Sequence, residues 1–105
     1  MLGSSSQLQV RNARLADAAT LSDVFRASWQ HTYQGIIPHE HLDGIIRRRG
    51  PAWWRSAIRS SDTVLAVEFD GKLIGYATCG PARCRARYKG EIYEIYLLPD
   101  FQGLG

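Results

Sequence analysis

Cysteine is scarce in this chain, with only Cys79 and Cys84 among 105 residues. The pair stands alone and matches none of the usual zinc spacings, so no metal site is expected and both are read as ordinary reduced thiols. Long apolar runs are also missing. Nothing approaches the roughly 18 residues that a membrane-spanning helix needs, and Met1 to Gln9 has neither the basic start nor the apolar stretch of a secretory signal. A cytoplasmic protein without membrane contact is the expectation. Charge of one sign is in short supply as well: thirteen Lys and Arg against ten Asp and Glu give +3. That mild excess suits anionic ligands but is no nucleic-acid footprint. Length excludes a second domain, because 105 residues, 45% apolar and 22% charged, make one globular unit with a real core and little surplus stability.

What is present is a clear change of periodicity along the chain. Gly3-Ser4-Ser5-Ser6 is small and polar, so residues 1–7 are read as a flexible tail and 8–105 as a single domain. Leu8 and Val10 alternate with polar neighbours, which predicts a short half-buried strand. Asp17 is placed to cap a helix in which Ala18, Leu21, Val24, Phe25 and Ser28 form one stripe, ending near Gln30. Pro38 suits the first turn of a second helix with Leu42, Ile45 and Ile46 inward. A third, from Pro51 to about Arg59, brings Trp53, Trp54, Ala57 and Ile58 to the core. Arg47-Arg48-Arg49 is read as a solvated helix end.

Val64–Phe69 and Leu73–Ala77 read as strands joined by Asp70-Gly71, a tight-turn signal that depends on positive φ. The alternating basic stretch from Arg83 to Lys89 is read as a solvated connection. Glu91 to Leu98 is rich in β-formers and stops at Pro99-Asp100. The predicted fold class is therefore α/β (α+β): a mixed or antiparallel sheet of about four strands with two or three helices.

The segment Gly90-Glu91-Ile92-Tyr93-Glu94-Ile95-Tyr96-Leu97-Leu98-Pro99-Asp100-Phe101-Gln102-Gly103-Leu104-Gly105 resembles the acetyl-CoA-binding strand and loop of the GNAT superfamily of N-acetyltransferases. Gln102 and Gly105 match the opening of the family's glycine loop. Ser28-Trp29-Gln30-His31-Thr32-Tyr33-Gln34-Gly35-Ile36-Ile37-Pro38 is similar to the segment joining the first two helices in many bacterial members. The resemblance covers about residues 8 to 105 and implies the N-terminal part of that fold, ending inside the pyrophosphate loop. It implies transfer of acetyl from acetyl-CoA to a primary amine, on a small molecule or a protein. Leu97 and Leu98 are then expected to offer backbone groups to the cofactor, and Gln102, Gly103, Leu104 and Gly105 to begin a cradle for the diphosphate, where free N–H groups suit an anion. The two leucines serve equally well as core packing.

Glu91 corresponds to the glutamate that would take the substrate's proton, and Trp29 and Tyr33 fall where the family places part of its acceptor wall. The family's later strands and helices have no counterpart in the 105 residues, so a truncated form with impaired or no activity alone is expected. The open edge of strand 91–98 then predicts a homodimer. The competing reading is a non-catalytic α/β interaction module that self-associates by strand pairing.

Overall fold

The turn at Asp70-Gly71 forms as its sequence demands: both residues have positive φ, 53° and 83°, the backbone of a two-residue hairpin whose twist matches its strands. A computed structural model describes residues 8–60, 62–79 and 92–101, and in it this hairpin joins β2 (Thr63–Phe69) to β3 (Lys72–Cys79). Strand β1 (Leu8–Asn12) pairs with β2, and β4 (Ile92–Leu97) pairs with β3, giving one sheet in the order β1-β2-β3-β4 with every pairing antiparallel. Between β1 and β2 run α1 (Ala18–Tyr33), α2 (His39–Arg48) and α3 (Pro51–Arg59). The expected α/β class, with about four strands and two or three helices, is found as four strands and three α-helices among the described residues. The basic stretch from Arg83 to Lys89 lies outside the described residues.

The helices cover one face of the sheet. Leu21, Val24 and Phe25 of α1 and Trp54 of α3 are buried against Val64, Ala66, Leu73 and Tyr76, as the helical stripe predicts. Aromatic rings dominate this layer. Tyr76 lies 4.7 Å from Trp54 and 5.5 Å from Tyr96 between ring centroids, and Phe25 lies 5.2 Å from Trp29 and 6.3 Å from Trp54. Such pairs contribute beyond the area they bury. The alternation in β1 is real, but its apolar side chains face the other side of the sheet: Leu8 and Val10 are each 60% exposed, so β1 is not half-buried as predicted. No helix among the described residues is long and apolar enough to cross a membrane.

Four local expectations need correction. Helix α1 runs to Tyr33 rather than ending near Gln30, because Trp29 and Tyr33 stack at 4.6 Å and carry the apolar stripe another turn before Gly35 turns the chain at φ 85°. Asp17 precedes α1 but makes no capping bond to it. Its carboxylate instead accepts the Arg14 N–H at 2.7 Å and two bonds from the Arg11 guanidinium at 2.8 and 3.0 Å. Arg49 is not a solvated helix end, since its guanidinium lies 3.8 Å from the Trp53 ring centroid, 4.3 Å from Phe25 and 4.9 Å from Trp54, where a cation is attracted to ring faces. Cys79 is fully buried and disulfide-bonded, not a reduced thiol; Cys84 lies outside the described residues.

Arg11 ties three elements together, because it also bonds Glu68 of β2 through Nε at 3.0 Å. The Arg11 hydrogen bonds hold the Asp17 carboxyl below its usual range, against the opposing effect of burial. A carboxyl depressed in the folded state stabilises the fold above its unfolded pKa, and that stability is lost as pH falls through the folded value. Asp17→Asn is therefore expected to cost about 1–2 kcal/mol at neutral pH. The gap to wild type should close as the medium is acidified below the ordinary aspartate range of about 3.9. Urea unfolding at neutral and acid pH measures both; an equal gap at the two would remove the ion pair from the account.

Candidate functional site

The C-terminal half of α1 and the C-terminal end of β4 meet at one corner of the sheet, and the reason is side-chain chemistry. Ser28 occupies a core position of the α1 stripe and is fully buried, so its hydroxyl must find a partner. It donates to the Leu97 carbonyl at 3.0 Å. One residue on, Trp29 lies 6.2 Å from Tyr96 and 4.6 Å from Tyr33 between ring centroids. The indole Nε1 of Trp29 is buried and finds no hydrogen-bond acceptor among the described residues, which leaves a donor in this wall unmatched.

Strand β4 reaches this corner by unusually close approach to β3. Gly75 lies opposite Leu97, and a β-carbon on it would stand 2.4 Å from the Tyr96 carbonyl oxygen and 2.5 Å from Leu97 Cδ2. Only glycine fits there. Past the last strand residue, the Leu98 N–H donates to the Ile74 carbonyl at 2.7 Å. In an antiparallel ladder alternate residues turn their backbone groups to opposite sides. With Leu98 and Tyr96 directed at β3, those of Ile95 and Leu97 are directed at the other edge of β4. Pro99–Phe101 then forms a short 3-10 turn.

Of the residues singled out from sequence, Trp29, Tyr33, Leu97 and Leu98 are brought to this corner. The side chains of Leu97 and Leu98 are half-buried, and Leu98 packs against the core. Glu91 and the segment Gln102, Gly103, Leu104 and Gly105 lie outside the described residues, as do the side chains of positions 92–94. Among the described residues no cluster of His, Cys, Asp or Glu could hold a metal ion. Sequence reasoning missed Ser28, Gly75 and Arg49 as site or scaffold residues. Each had a signal: a hydroxyl within an apolar stripe, a glycine inside a strand, and an arginine four residues before Trp53.

Two cavities flank this arrangement. One of about 520 Å³ is lined by Arg49, Trp53, Ser56, Asp62, Val64 and Thr78, toward the opposite end of β3 from Gly75. The other, about 390 Å³, lies under the α1–α2 connection between Gln34 and Leu42.

Residues 20–105 match the Acetyltransferase (GNAT) family, and the chain belongs to that family. It is 36% identical over 98 residues to the N-acetyltransferase YuaI of Bacillus subtilis, an alignment covering 91% of this chain and 56% of that protein. Against the spermidine N(1)-acetyltransferase of Thermoplasma acidophilum it is 27% identical over 100 residues, covering 90% and 60%. Among solved structures, the PaiA N-acetyltransferase of Thermoplasma acidophilum in complex with coenzyme A superposes with a TM-score of 0.77 at 26% identity, covering 92% of this chain and 62% of that one. A GCN5-related N-acetyltransferase from Rhodopseudomonas palustris shares the fold with a TM-score of 0.71 at 21% identity. The chain spans little more than half the length of the relatives it matches.

Proposed function

We propose that this chain serves acetyl-CoA-dependent N-acetyl transfer to a primary amine, supplying the α1 wall and the β4 edge of the cleft. The observation that carries the reading is the family match over residues 20–105, and the resemblance of the sequence after β4 to the family's diphosphate loop is consistent with it. The structure of a relative with coenzyme A supports the same cofactor class here. Acetyl-CoA supplies an activated thioester, and the chain's task is to hold and orient it. The outward backbone groups of Ile95 suit an extended amide-bearing arm laid along the edge as an added strand. The Gln102, Gly103, Leu104 and Gly105 backbone is assigned to the diphosphate.

The reaction forms a bond between the amine nitrogen and the acetyl carbon and breaks the carbon–sulfur bond. The thiolate of coenzyme A leaves, and the proton lost by the amine goes to a base, for which we assign Glu91. Trp29 and Tyr33 are assigned to the acceptor wall. The acceptor is an amine on a small molecule or a protein; relatives include a spermidine N(1)-acetyltransferase and an L-amino acid N-acyltransferase. The setting we assign is cytoplasmic, where the Cys79 disulfide would be unusual.

Because its relatives are longer, the 105-residue chain alone is expected to turn over slowly or not at all. The outer edge of β4, which pairs with no other described strand, is assigned to pairing with a second copy, which would compete with the cofactor for the same edge. Titrating acetyl-CoA into the purified chain is expected to give saturable binding. At ligand 100-fold above Kd the melting temperature should rise by at least about 5 °C, and sedimentation should shift from dimer toward monomer. An unchanged melting curve with no saturable heat sinks the cofactor reading.

A further inference from the structure

We propose that Ser28 is a positioning residue for the cofactor-binding edge, fixing the last peptide of β4; this rests on the acetyl-CoA reading above. The Leu97–Leu98 peptide is one planar unit whose C=O and N–H point in opposite directions. Both ends are held. Its carbonyl accepts the Ser28 hydroxyl at 3.0 Å, and its N–H donates to the Ile74 carbonyl at 2.7 Å. Rotation of the plane breaks both bonds together, and Ser28 is 0% exposed, so water cannot take over the lost partner cheaply.

The two anchors come from different parts of the fold. Ser28 projects from the middle of α1, whereas Ile74 is an extra residue in β3. Val67 pairs with Gly75 and Glu68 with Leu73, so Ile74 has no opposite number in β2. A bulge of this kind bends its strand and redirects its groups. Next to it, Gly75 lets β4 come close enough for the Leu98 bond to form. The peptide thus acts as a support rather than a ligand: Leu98 N–H is committed to the sheet and the Leu97 oxygen to α1. What it supports is the orientation of the strand end that carries the outer-edge groups of Ile95 and leads into Pro99.

The experiment uses the full chain with Ser28→Ala, Ser28→Cys and Ser28→Thr. Below the melting temperature, with far-UV circular dichroism matching wild type, Ser28→Ala is expected to raise the acetyl-CoA Kd by about tenfold and to speed Leu98 amide exchange without ligand to a similar extent. Ser28→Cys, with a weak donor of similar size, should move both the same way and keeps the test open if the alanine variant does not fold. Ser28→Thr, which keeps the hydroxyl, should restore both. Unchanged Kd in folded Ser28→Ala or Ser28→Cys overturns the positioning role, even with a lower melting temperature. Absence of saturable binding by wild type overturns the cofactor reading and this role with it, while equal binding by wild type and variants overturns this role alone.

Discussion

Trp54→Ala is expected to cost about 3–5 kcal/mol, a large share of the roughly 5–15 kcal/mol that holds a domain of this kind together. Trp54 is completely buried, and its ring meets Tyr76 at 4.7 Å, Trp53 at 5.0 Å and Phe25 at 6.3 Å. No neighbour can collapse into the space, because α3 and the sheet are separately fixed by their own backbone bonds. The variant also removes one of three rings beneath Arg49. Trp54→Phe separates packing from hydrogen bonding. The indole Nε1 is buried without a hydrogen-bond acceptor among the described residues, so phenylalanine gives up no bond and should cost only about 1–2 kcal/mol. Urea unfolding of the three proteins reads the difference. A loss for Trp54→Phe well above that packing-only value would mean that the nitrogen has a partner after all.

Gly75→Ala should be nearly as severe for a different reason. The added carbon would sit 2.4 Å from a backbone oxygen of β4 and 3.2 Å from Leu97 Cα. A flexible side chain can step aside, but a paired strand cannot. Either β4 moves away from β3 or β3 bends further at its bulge, and about 2–3 kcal/mol is the expected cost, which lowers the melting temperature by roughly 10 °C or more. The damage should be local to one pairing: exchange of the Leu98 amide should accelerate far more than that of Arg11, which pairs with Ala66 on the far side of β2. Uniform acceleration at both sites would argue for global loosening instead. Since the same strand end carries the edge assigned to acetyl-CoA, the folded fraction of Gly75→Ala should also bind the cofactor poorly.

Elements whose signals are local are legible in the chain alone. Asp70-Gly71 dictates a tight turn because positive φ is available to few residues, Pro51 opens α3 where a missing N–H costs nothing, and the spacing of Leu21, Val24 and Phe25 makes one helical face apolar. The sixteen residues from Gly90 to Gly105, read beside the segment from Ser28 to Pro38, also carry enough of the family's pattern to name it. Tertiary structure decided what depends on two distant segments meeting. The partner of Asp17 proved to be Arg11 rather than the start of α1, because a charged, forked donor nearby is a better partner than a single amide. Arg49 turned inward because three aromatic rings from α1 and α3 converge on it. The hydroxyl of Ser28 found the Leu97 carbonyl, 69 residues away along the chain, a pairing invisible to periodicity because a buried donor takes whichever acceptor the packed neighbours bring within reach.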